Sequence, residues 1–140
     1  MDYSKPEALR AQPTYRLTIV DDSDEFVSMM REVLAGRYEV IGIQAESTED
    51  VAEARPDVIM VDLNPRAEKL RVLWRTIGEA RAHPMLRHVP IILCAPRVDG
   101  SPEVEQALHH PLVQLLTKPF TLDALDAALA RAMADKDLAS

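Results

Sequence analysis

Residues 57–62 read DVIMVD, and the way this stretch is taken decides the fold. Val58, Ile59, Met60 and Val61 form an unbroken apolar run, with Pro56 ahead of it and Asn64-Pro65 behind. A run this short between such breakers is a strand buried on both faces rather than a piece of helix. Its last residue, Asp62, stands at the C-terminal end of a central parallel strand, where open α/β sheets place their ligands, and is the first candidate for chemistry. The plainer use of an Asp before Asn-Pro is to cap the following turn.

Working upstream, Ser47 to Arg55 forms a short helix stopped by Pro56, and Tyr38 to Ile43 a strand. Before these, Phe26, Met30, Val33 and Leu34 repeat at helical spacing. Ser23 is placed to cap that helix, and Gly36 to end it. Leu17 to Val20 is a β-branched strand closing on Asp21-Asp22. Downstream, Pro65 opens a long helix in which Leu70, Leu73, Ile77 and Ala80 share a stripe until His83-Pro84. Arg66, Lys69, Arg71, Arg75 and Arg81 decorate it, and a charge run on an amphipathic helix is usually a solvated face. Val89 to Ala95 is a fourth strand, Ser101-Pro102 starts a short helix, and Leu112 to Leu116 is a fifth strand ended by Lys118-Pro119-Phe120. Thr121 caps a final helix with Leu122, Leu125, Leu129 and Met133 facing inward. Five strands alternating with five helices over short connections predict an α/β, doubly wound parallel sheet. Residues 1–14 are expected to be a loosely attached leader, 15–136 one domain and 137–140 a tail.

The chain of 140 residues, 47% hydrophobic, carries enough apolar material for one core. Sixteen Lys and Arg against 23 Asp and Glu leave a formal charge of −7, which argues against sequence-independent binding to nucleic acid or to an anionic membrane surface. Cys94 is the only cysteine, so neither an intrachain disulfide nor a Cys-based zinc site is available. With no apolar run long enough to span a bilayer and no apolar signal core near the N-terminus, cytoplasmic residence is the expectation. His83, His88, His109 and His110 lack metal-ligand spacing and are taken as surface residues, and Trp74 as packing.

In a doubly wound sheet the loops after the first and third strands open at one edge, so Asp21, Asp22 and Asp62 should converge. Three carboxylates in one crevice must protonate or bind a hard cation, and Mg²⁺ suits them, with room for phosphate oxygens. Lys118 ends the fifth strand at the same edge and can neutralise a transferred phosphoryl group.

The set IVDD, VIMVD and TKPF, in this order and spacing, resembles the receiver domain of two-component response regulators, over residues 16 to about 134. The resemblance implies a flavodoxin-like sheet in the order 2-1-3-4-5. It implies that Asp62 accepts a phosphoryl group from a histidine kinase or phosphotransfer protein. It implies Asp22 as a direct Mg²⁺ ligand, Asp21 acting through metal-bound water, and the backbone carbonyl of Asn64 as a further ligand beside Asp62. Lys118 would contact the phosphoryl oxygens, next to a cis peptide at Pro119.

The chain departs from the family elsewhere. Cys94 is read at the place of the Ser or Thr that hydrogen-bonds the phosphoryl group, and Leu115 replaces the switch aromatic. Pro65 follows the acceptor by three residues, not four, and the second helix is short by about one turn. Asn64 and Pro96 occupy the positions that tune acyl phosphate lifetime. The leading expectation is a single-domain receiver, not a turnover enzyme, that signals through an unknown downstream protein as a monomer or weak homodimer. The alternative is a pseudo-receiver acting as a docking scaffold without phosphorylation.

Overall fold

The computed structural model describes residues 15–20, 24–44, 48–62, 77–96, 102–110 and 112–139. The aliphatic runs form the strands β1 (Tyr15–Val20), β2 (Tyr38–Ile43), β3 (Val58–Asp62), β4 (Ile91–Pro96) and β5 (Val113–Lys118). Between and after them lie the helices α1 (Asp24–Val33), α2 (Thr48–Glu53), α3, described over 77–82, α4 (Pro102–Leu108) and α5 (Leu122–Ala139). All pairings are parallel, in the order β2-β1-β3-β4-β5. This is the flavodoxin-like arrangement, with the direction of winding reversing between β1 and β3.

The unbroken apolar character of β3 follows from helices covering both sheet faces. On one side, Leu17, Ile19, Val58, Met60, Ile92, Cys94 and Leu116 pack with Val27, Met30 and Leu34 from α1 and its end, and with Leu125, Leu129 and Ala132 from α5. On the other, Ile59, Val61, Ile91, Leu93 and Ala95 pack with Val51 of α2, Ile77 and Ala80 of α3, and Ala107 of α4. Each fully buried aliphatic side chain in these layers stabilises the fold by about 1.5–3 kcal/mol.

Local chemistry ends the helices where expected. Gly36, at φ 84°, lets the chain turn after α1, and the N–H groups of Arg37 and Tyr38 both donate to the Leu34 carbonyl. Thr121 accepts the N–H of Ala124 at 3.0 Å, capping α5. Gly42 in β2 serves a close approach instead: a Cβ there would lie 2.7 Å from a Val27 methyl on α1.

Several expectations are corrected. Arg81 does not decorate a solvated face: its guanidinium donates to the carbonyls of Leu86 at 3.1 Å and Val89 at 2.9 Å, and reaches that of Leu112 at 3.5 Å. Burial lowers its pKa, and the three carbonyl dipoles replace the water it gives up. Leu112, at φ 66°, turns its carbonyl to accept from Ile91 N–H at 2.7 Å as well, so Arg81 braces the start of β4 and β5 together. Leu122 is 58% exposed, because the buried stripe of α5 begins one turn later at Leu125 and runs on through Ala128, Leu129 and Ala132. His83 is half-buried: its Nδ1 accepts the Met85 N–H at 3.1 Å, which leaves the proton on Nε2 to donate to Glu49 at 2.7 Å. That bond ties α2 to the end of α3. Helix α5 spans Leu122–Ala139, and nothing in Asp135 to Ala139 breaks a helix. Leu70, Leu73 and Trp74 lie outside the described residues.

Candidate phosphoacceptor site

Two carboxylates bound the stretch 57–62, and the fold gives them opposite work. Asp57, at the N-terminal edge of the sheet, is consumed structurally: its Oδ2 accepts the Arg16 N–H at 2.8 Å, its own N–H donates to the Arg16 carbonyl at 2.8 Å, and its Oδ1 pairs with Lys136 of α5. Asp62, at the C-terminal edge, projects on the same side of the sheet as Met60, toward α1 and α5.

Lys118 arrives from two strands away. Leu116, two residues before it, sits in the α1 and α5 core, so strand alternation carries Lys118 to that same side. From the end of β5 its side chain crosses over β4, and the ammonium forms an ion pair with Oδ1 of Asp62. The pair is only partly open to water, with Asp62 15% and Lys118 29% exposed, so the attraction is stronger than between surface charges. The Lys118-Pro119 peptide is cis, as the family resemblance implies. Phe26, from the first turn of α1, places its ring under the ammonium, with Nζ 5.0 Å from the ring centroid. Phe120 meets Phe26 edge to face, centroids 6.5 Å apart at 87°.

Cys94 stands between the two charges. It is the register partner of Asp62 on one side and of Leu116 on the other, and is fully buried. Leu115 points to the opposite side, half-buried against the core that holds Leu93 and Ala95. Cys94 and Leu115 are therefore separated by the sheet, and Ala95 is the residue of β4's end that shares Leu115's side. A relay from a small side chain beside the acceptor to residue 115 would run through Ala95, which offers no hydroxyl at all. Cys94, expected at the place of the family's Ser or Thr, faces the side of Asp62; adjacent strand residues face opposite ways, and only the side of the sheet distinguishes them. Pro96 ends β4, exposed, as the register partner of Lys118.

Asp21, Asp22 and Asn64 lie outside the described residues. β1 does stop at Val20, the register partner of Val61, one residue short of Asp21 and one pair short of Asp62. Among the described residues no three acidic, His or Cys side chains form a metal cluster, and Asp62 is the one member of the expected Mg²⁺ set in view. Its carboxylate supplies the hard oxygen that Mg²⁺ requires. By spacing Phe26 belongs to an apolar stripe of α1, and that spacing carries no sign that its ring meets Lys118 from the far end of the chain. Among the described residues no helix is long and apolar enough to cross a membrane.

No protein-family model matches the chain, and no curated protein sequence does. Solved structures match it over most of its length. The chemotaxis protein CheY4 of Vibrio cholerae superposes with a TM-score of 0.69 at 25% identity, covering 86% of this chain and 99% of that one. The N-terminal domain of a nisin resistance response regulator gives 0.63 at 25% identity, covering 86% and 99%. The receiver domain of a sensor histidine kinase from Pseudomonas aeruginosa, a structure with magnesium coordinated in its active site cleft, gives 0.67 at 21% identity, covering 87% and 99%. The chain has the fold of CheY-like response regulator receiver domains.

Proposed function

We propose that this chain, on the premise of its receiver fold, accepts a phosphoryl group on Asp62 and signals by protein-protein interaction rather than by turnover. The observation that carries the reading is the ion pair between Asp62 and Lys118, built from β3 and β5 at the ligand-binding edge of the sheet. In the transfer, an Asp62 carboxylate oxygen attacks phosphorus. The bond from phosphorus to the donor, a phosphohistidine of a histidine kinase or phosphotransfer protein, breaks, and an acyl phosphate forms. Lys118 is already beside the accepting oxygen and offsets the charge of the incoming group without reorganising. Mg²⁺, held by Asp21, Asp22, Asp62 and the Asn64 carbonyl, would supply the remaining positive charge. Asn64, two residues beyond the acceptor, would set the lifetime of the product.

The test is mass spectrometry after incubation with acetyl phosphate and Mg²⁺. One phosphoryl group is expected on the unaltered protein and none on Asp62→Asn. Mg²⁺ alone is expected to raise the melting temperature, which reads the metal without reference to phosphorylation. Undiminished labelling of Asp62→Asn would remove Asp62 as the acceptor.

One observation favours a second reading. Ala95 and Leu115, on one side of the sheet, offer neither a hydroxyl nor a polar ring tip, so a phosphoryl group has little to pull on. A pseudo-receiver that docks partners without phosphorylation would show Mg²⁺ binding but no labelling.

A further inference from the structure

The ammonium of Lys118 is held from two directions. Asp62 pairs with it on one side, and the face of Phe26 lies 5.0 Å away on another. An aromatic face attracts a cation through its quadrupole, most strongly where water is partly excluded, as it is here. Phe26 is itself fixed, edge to face against Phe120 and packed on the α1 and α5 core. Three segments distant in sequence therefore meet at one ammonium: the start of α1, the end of β3 and the end of β5, with Phe120 of the turn after β5 backing Phe26.

From this we infer that Phe26 is a positioning residue for Lys118 in the proposed phosphoryl transfer, a role that rests on Asp62 being the acceptor. A lysine side chain has four rotatable bonds, and holding its head group in place costs rotamer entropy. A carboxylate under the ammonium would hold it too, but would compete with phosphoryl oxygens for the same charge. A neutral ring restrains the ammonium while leaving its full charge to the anion. When the acyl phosphate forms, the negative charge beside Lys118 grows, and the ammonium meets it from a seat already occupied.

Phe26→Leu keeps an apolar side chain and removes the ring, whereas Phe26→Tyr keeps the ring. In the full chain, Phe26→Leu is expected to label with acetyl phosphate and Mg²⁺ about two- to fivefold more slowly, the Boltzmann factor of a partly exposed cation-π contact. Phe26→Tyr is expected to label at the unaltered rate. The rates are compared well below each variant's melting temperature, so that lost packing is not mistaken for lost positioning. Independently of labelling, the ε-methylene protons of Lys118 are expected to show an upfield ring-current displacement by NMR, kept in Phe26→Tyr and lost in Phe26→Leu. A normal Lys118 shift in the unaltered protein overturns the inference, as does equal labelling of Phe26→Leu and the unaltered protein. Absence of labelling in the unaltered protein refutes the acceptor reading itself, and this role with it.

Discussion

Thr18→Val isolates one cost that the fold carries in its centre. Thr18 lies in β1 between Ile41 of β2 and Ile59 of β3, is 0% exposed, and is the buried polar side chain among the described core residues. Among the described residues its Oγ1 has no hydrogen-bond partner. A hydroxyl taken from water without a replacement bond costs about 1–3 kcal/mol, and valine is close in shape, equally β-branched and at least as suited to a strand. The substitution is therefore expected to stabilise the protein by about 1–2 kcal/mol. In a chain of 140 residues, each kcal/mol raises the melting temperature by about 3 °C, so a rise of about 3–6 °C follows. Thr18→Ser serves as the contrast: it keeps the hydroxyl, loses the methyl, and is expected to cost about 1 kcal/mol. Urea unfolding with an unchanged slope and a displaced midpoint is the measurement, since it separates native stability from changes in the unfolded chain. If Thr18→Val is neutral or destabilising, the hydroxyl has a partner in solution, and its burial carries no penalty.

Gly42→Ala would push a methyl to within 2.7–2.8 Å of both Val27 γ-carbons; a loss of about 1–3 kcal/mol is expected, smaller when Val27→Ala is added, and strictly additive losses in a double-mutant cycle would refute the clash. Arg81→Lys replaces a fork by a point charge facing three carbonyls and is expected to lower the urea unfolding free energy by about 1–3 kcal/mol; a change under about 0.5 kcal/mol would mean that water takes over. Burial raises the phenol of Tyr38 above its ordinary pKa of 10.0, against the opposing charge of Arg37. The neutral phenol thus favours the folded state fully below about pH 10, and that contribution is lost as pH rises through the folded-state pKa. Unfolding free energies between about pH 9 and 11 should fall less steeply for Tyr38→Phe, and an identical slope would remove this assignment.

Read from the amino-acid order alone, the alternation of five strands with five helices was legible, because each element carries its own period and its own stop. Gly36 after α1 and Thr121 before α5 act within one turn of where they sit, so their roles needed no knowledge of the rest of the molecule. The doubly wound class followed from that alternation over short connections, and the unbroken apolar β3 agrees with cover on both faces. The 2-1-3-4-5 order was legible through the family resemblance, which also singles out Asp62 and Lys118, two residues that the fold brings into an ion pair.

What tertiary structure decided is which way side chains face and what distant segments bring to them. Cys94 and Ala95 are neighbours in sequence but belong to different cores, so at the end of β4 the side of the sheet that holds Leu115 carries a methyl and the side that holds Asp62 a thiol. Arg81 counts as one more charge on a helix until the carbonyls of Leu86, Val89 and Leu112 close around it. Leu122 belongs to an apolar stripe by spacing and to solvent by position, because α5 meets the sheet only from Leu125 onward. Phe26 reaches Lys118 across 92 positions of sequence. Periodicity reports which residues share a face of their own element; the partner of that face is set by sheet order and crossover, which no local pattern encodes.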